Sequence, residues 1–184
     1  MQVPRRIFDI RPGEGRRAAL AFASLMLVIA AYTTVKSVRD ALFLAKFGIT
    51  QLSFMAIGLA LATGFIIAIY LRGTAGMQRN RLIWGTNLVI ASSLLAIRAG
   101  LAVSSLSSLL PWVLYVWSSI FGVFMVMQFW LLANDLFDPR EAKRLFGFVG
   151  AGAIMGGVTG GFLSRSLAGP LGASNLLLLA AAML

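Results

Sequence analysis

The chain has 184 residues, 59% hydrophobic and only 12% charged, with a mean hydropathy of +0.89; a soluble domain carries about twice that charge, so the composition reads as an integral membrane protein. A formal net charge of +10 would suit nucleic-acid binding if the basic residues clustered on one polar surface, but they lie between apolar segments, so no nucleic-acid partner is expected. The lack of Cys and His excludes disulfides, thiolate or imidazole metal sites and Ser-His or Cys-His catalysis, and no cofactor or enzymatic activity is expected.

Residues 1–17 form a basic leader, with Arg5, Arg6, Arg11, Arg16 and Arg17 against Asp9 and Glu14. The apolar run that follows is longer than a signal peptide's core and leads into further spans. It is therefore predicted to stay as a first span, 18–44, with the N-terminus in the cytoplasm. On its helical wheel Tyr32, Thr33, Lys36, Arg39 and Asp40 share an arc of about 120°. At 1.5 Å per residue Lys36 lies about 27 Å from the inner end, toward the outer side of a hydrocarbon core about 30 Å thick. Two readings fit this polar stripe. It is a snorkelling interfacial cluster with Asp40 as partner, or it lines a hydrated cavity, where costly intramembrane charges usually face.

A second span, 52–71, is followed by a short loop with Arg72, Arg79 and Arg81 and the glycines Gly73 and Gly76. The third span, 82–103, carries Arg98 near its far end, where it either snorkels or meets a substrate. Ser104 to Ser108 and Pro111 make the next turn. In the fourth span, 112–136, Trp117, Phe121, Phe124, Gln128 and Asp135 lie within about 40° of one line. Such a stripe either stacks on a base, as aromatic faces do, or packs helices. Gln128 needs a partner or water at mid-span.

The stretch from Gln128 to Gly161 organises the chain: a span, a short charged loop, and a glycine-laden span. Asp138 is a good N-cap, Pro139 suits the first helical position, and Glu141 completes a capping-box spacing. Asp135, Arg140, Glu141, Lys143 and Arg144 are candidates for a cytoplasmic gate. In the fifth span, 145–167, Gly152, Gly156 and Gly160 share a face, with Gly157 and Gly161 beside them. Small residues at that spacing let another helix backbone approach closely in lipid. They lack the Lys-Ser or Lys-Thr end of a phosphate loop. After a turn at 169–174, residues 175–184 begin a sixth segment, which at about 15 Å is too short to cross alone. Eleven of the sixteen basic residues fall in the leader and alternate loops, which puts these on the cytoplasmic side.

The runs Phe129-Trp130-x-x-Ala133-Asn134, Glu141-Ala142-Lys143-Arg144-Leu145-Phe146 and Gly150-Ala151-Gly152-Ala153, with Arg11-Pro12-Gly13-Glu14 and Lys36-x-x-Arg39-Asp40 upstream, resemble the ATP/ADP translocases of plastids and intracellular bacteria and their relatives in free-living bacteria. The resemblance covers roughly residues 11 to 175. It implies an all-α, major-facilitator-like six-helix N-terminal bundle, truncated in its sixth span. It also implies a bacterial inner-membrane nucleotide antiporter that works by alternating access, with the bilayer, an organic anion such as ATP or ADP, and the protein's own C-terminal half as partners. On this view Lys36, Arg39, Asp40, Gln128 and Asn134 contact substrate. Two positions depart from the family pattern: its lysine after Arg-Asp is Leu42 here, and its glutamate before Phe-Trp is Ser118. A non-transporting anchor or sensor module is the alternative.

Overall fold

A computed structural model describes residues 11, 13–47, 59, 63–70, 72, 79–103 and 109–184, with the side chains of Arg79 and Asn80 left aside. These residues are all-α, without strands. The helices are α1 (Gly15–Leu44), α2 (63–70), α3 (Arg79–Gly100), α4 (Leu110–Leu136), α5 (Pro139–Leu171) and, after a 3-10 turn at Ala173–Asn175, the short α6 (Leu176–Ala182). Four of them, α1, α3, α4 and α5, are long and apolar enough to cross a membrane. Most of the predicted leader and of the predicted second span lies outside the described residues.

At α5, where the boundary differs most from expectation, a cap is the reason. Helix α5 begins at Pro139, ahead of the predicted 145, because Asp138 is extended (φ −63°, ψ 153°) and its N–H donates to Glu141 Oε2 at 3.2 Å. That capping arrangement starts a helix inside the polar loop, where hydropathy sees nothing apolar. The helix also runs past 167 and through Pro170, which costs one hydrogen bond in the last turn. It stops at Gly172, whose φ of +79° suits only a residue without a Cβ. At 30 residues, α1 is about 45 Å long, so it tilts or projects beyond a core about 30 Å thick.

Helix α1 is the centre of the bundle. It lies parallel to α5, with contacts in constant register: Gly152 meets the Phe22 carbonyl, Gly156 that of Met26 and Gly160 that of Ala30. A Cβ at Gly152 would lie 2.5 Å from the Phe22 oxygen and one at Gly160 2.6 Å from that of Ala30, so nothing larger than hydrogen fits. Gly157 and Gly161 have nothing within 4 Å of their Cβ positions. The expectation that they share the packing is corrected: a step of one residue turns them about 100° off the α1 seam.

On its other flank α1 packs antiparallel to α4, through Phe43 with Trp112 and Tyr115, Tyr32 with Phe121, and Leu25 with Phe129. Gly122 lies so close to the Tyr32 ring that any side chain there would displace it. Val35, Val38, Leu94, Leu114, Phe121 and Leu177 fill one end of the core. Ala18, Leu25, Phe129, Leu145 and Val149 fill the other. Hydroxyls inside the helices fold back on their own turns, Thr34 to Ala30 O at 2.9 Å and Ser164 to Gly160 O at 2.7 Å, so they need no partner across the bundle.

Candidate functional site

The polar stripe of α1 is divided by its neighbours. Arg39 is buried, 8% exposed, because its position on the wheel leans toward α4. Its Nε donates to Asp40 Oδ1 at 2.8 Å, its Nη1 to Ser119 Oγ at 3.1 Å, and its guanidinium carbon sits 4.4 Å over the Tyr115 ring. A carboxylate, a hydroxyl and an aromatic face together satisfy the cation inside an apolar helix. Lys36 is exposed, and the Asp40 side chain keeps 39% of its exposure. Expected as an attractor in a cavity, Arg39 is thus a held group that fixes Asp40, and Lys36 is the cation left facing outward. An open hollow lies between α1 and α4, lined by Tyr32, Gly122, Val123, Val126 and Met127.

Gln128 does not join that cluster. It stands nine positions after Ser119 on α4, about 900° of rotation or half a turn away, and about 13 Å along the axis. It is 4% exposed, and its Nε2 donates to the Tyr70 hydroxyl at 3.0 Å, which also meets Thr86 Oγ1 at 3.2 Å. Its Oε1 is buried without a partner among the described residues. Gln128 also lines a small cavity of about 200 Å³ with Ser24 and Asn87. The aromatics of the same stripe are spent on other helices: Phe124 packs on Tyr70, and the Trp117 N–H donates to Ser93 Oγ at 2.8 Å. Asn134, the remaining substrate candidate, is exposed near the end of α4, far along the helix from Arg39.

Two of the five gate candidates, Glu141 and Arg144, form a clasp between α1 and α5. Arg144 reaches Glu14 at 2.8 and 3.4 Å, and Arg17 reaches Glu141 and the Leu136 carbonyl, both at 3.3 Å. The Arg144 guanidinium, with the Arg11 backbone N–H that donates to Glu14 at 3.0 Å, holds the Glu14 carboxyl below its ordinary value. Asp135, Arg140 and Lys143 are exposed. Two of the stretches that carried the family resemblance, Arg11 to Glu14 and Glu141 to Phe146, therefore meet in space.

Several of these partners escape sequence reasoning. Ser119 and Tyr115 are ordinary helix residues until α4 is laid against α1. Arg98 has a partner that its own helix does not foretell: its Nε donates to Asn175 Oδ1 at 2.6 Å, while Asn175 Nδ2 donates to Leu171 O at 2.7 Å, so it pins the turn between α5 and α6. Glu14 could have been found, since it and Arg144 both precede apolar runs on the basic side. Among the described residues no group of three Asp or Glu could hold a metal ion. No family model, no curated protein and no solved structure matches this chain.

Proposed function

We propose that the chain is the N-terminal bundle of a secondary transporter of the nucleotide antiporter type, with a major-facilitator-like fold, exchanging nucleotides or related organic anions by alternating access in a bacterial inner membrane. One observation carries this: a charged cluster, Lys36, Arg39 and Asp40, in an otherwise apolar spanning helix, with Lys36 exposed and Arg39 buried behind it. Ionisable groups in a membrane are costly and generally serve a pathway or a site. Lys36 supplies the point charge for a phosphate or carboxylate. Arg39 acts as a positioning residue that holds Asp40 against α4.

The anchor or sensor reading has its own support. Arg39 donates to two of the chain's own side chains and lies over the ring of a third, as a purely structural node would, and the family's lysine and glutamate are Leu42 and Ser118. Counter-exchange decides between them. The protein from the full reading frame, in liposomes loaded with ADP, is expected to take up labelled ATP or a related organic anion. Lys36→Gln should lower that uptake without lowering thermal stability, whereas Arg39→Gln should lower both. Absence of any exchange across a panel of nucleotides and organic anions would leave the anchor reading standing.

A further inference from the structure

The aromatic stripe of α4 forms one wall of a groove of about 310 Å³ between α2, α3 and α4. Its other wall is a single stripe of α3. Arg81, Gly85 and Val89 stand four residues apart and so follow one side of the helix for about 12 Å. Gly85 has nothing within 4 Å of its Cβ position, which leaves the floor of the groove open. Opposite lie Phe124, Phe121 and Trp117.

The charge and polarity of the groove are graded along its length. Arg81 is exposed at one end, at the edge of the apolar part of α3. The polar groups farther in are occupied by the protein: the Tyr70 hydroxyl by Gln128 and Thr86, and the Trp117 N–H by Ser93. The walls therefore present carbon and ring faces, against which a nucleobase edge would lose its hydrogen bonds to water. The surrounding flank of α3 is built for lipid, with Trp84 78%, Leu88 72% and Val89 57% exposed. A slot with a cation at its mouth, an apolar interior and a lipid-facing rim is complementary to one kind of molecule.

We propose that this groove binds an anionic phospholipid, with one acyl chain lying along Gly85 and Val89 against Trp117 and Phe124 and the phosphate resting on Arg81. Arginine suits the headgroup because its planar fork engages a phosphate through two N–H groups. The site is separate from the Lys36 face, and its occupation does not depend on transport.

Quenching of tryptophan by brominated acyl chains tests the assignment, because Trp117 lines the groove. The protein is reconstituted in phosphatidylcholine vesicles containing either brominated phosphatidylglycerol or brominated phosphatidylcholine, and the signal of Trp117 is isolated as the difference between the parent and Trp117→Phe. Phosphatidylglycerol is expected to be favoured about five-fold at Trp117, the factor of one cation–lipid attraction near a membrane surface. Arg81→Gln should remove the preference, Arg81→Lys should keep part of it, and Gly85→Phe should remove quenching of Trp117 by both lipids. Added inorganic phosphate should not compete, which separates a lipid headgroup from a free phosphate. Equal quenching by the two lipids in the parent, a preference that survives Arg81→Gln, or displacement by inorganic phosphate would each overturn the proposal.

Discussion

The two flanks of α1 solve the same problem by opposite means. Toward α5 the contact is backbone on backbone, with glycines set against the carbonyls of Phe22, Met26 and Ala30. Toward α4 the contact is made by large side chains, Phe43, Tyr32 and Tyr115, with the Arg39 guanidinium held among them. In lipid there is little hydrophobic drive between helices, so close packing and polar contacts remain. The glycine flank takes the first and the Arg39 flank the second. A seam of glycines tolerates no added atom, whereas a seam of rings and one cation has side chains that can shift.

The sharpest way to break that contrast lies within α5 itself. Gly156→Leu should abolish recovery of monodisperse folded protein, since even a Cβ there strikes the Met26 carbonyl. Gly157→Leu, one residue on, should change stability by less than about 0.5 kcal/mol. Equal yields and equal Tm values for the two variants would remove the claim that register decides the seam.

On the α4 flank the expected loss is smaller. Arg39→Leu should destabilise by about 2 kcal/mol, less than breaking a fully buried pair, because Asp40 keeps some solvent. A thermal shift in detergent measures it, and restoring the loss with the double variant Arg39→Leu, Asp40→Asn would identify the stranded carboxylate as the cause.

Smaller still is the effect at Gln128. Gln128→Leu gives up one hydrogen bond to Tyr70, worth about 1 kcal/mol, and also removes a buried acceptor that has no partner among the described residues, whose burial costs a similar amount. The Tm should stay level or rise. A fall of several degrees would mean that Oε1 is satisfied after all.

The charged clasp should matter least, and only in acid. Because the folded Glu14 carboxyl is held below its ordinary value of 4.5, its contribution is fully present above that value and fades as pH falls through the depressed one. Tm should therefore drop more steeply below pH 4.5 in the parent than in Glu14→Gln, and parallel curves would dismiss the clasp as a source of stability.

How far the sequence reveals these features follows from where the information sits. The Gly152, Gly156 and Gly160 face is legible because spacing within one helix defines it, and the Asp138–Glu141 cap is legible for the same reason. Arg39 could be singled out as a costly charge, but its surroundings could not be read, since Ser119 and Tyr115 become neighbours only through the placement of α4. The aromatics and Gln128 share a line on the wheel, yet a wheel carries no mark of which helix stands opposite. The charges around the α4–α5 loop suggest partners close in sequence, while the parallel run of α1 and α5 joins Arg144 to Glu14, 130 residues earlier.

The pairing of Arg39 also has a consequence in time. Its partner Ser119 lies 80 residues downstream, and a ribosome adding about 5–20 residues per second needs about 4–16 s to reach it. Asp40, the very next residue, is present at once. During synthesis it can neutralise the guanidinium while α1 waits for α4, so the carboxylate that looks like a helper in the finished bundle would serve first as an escort for a nascent chain.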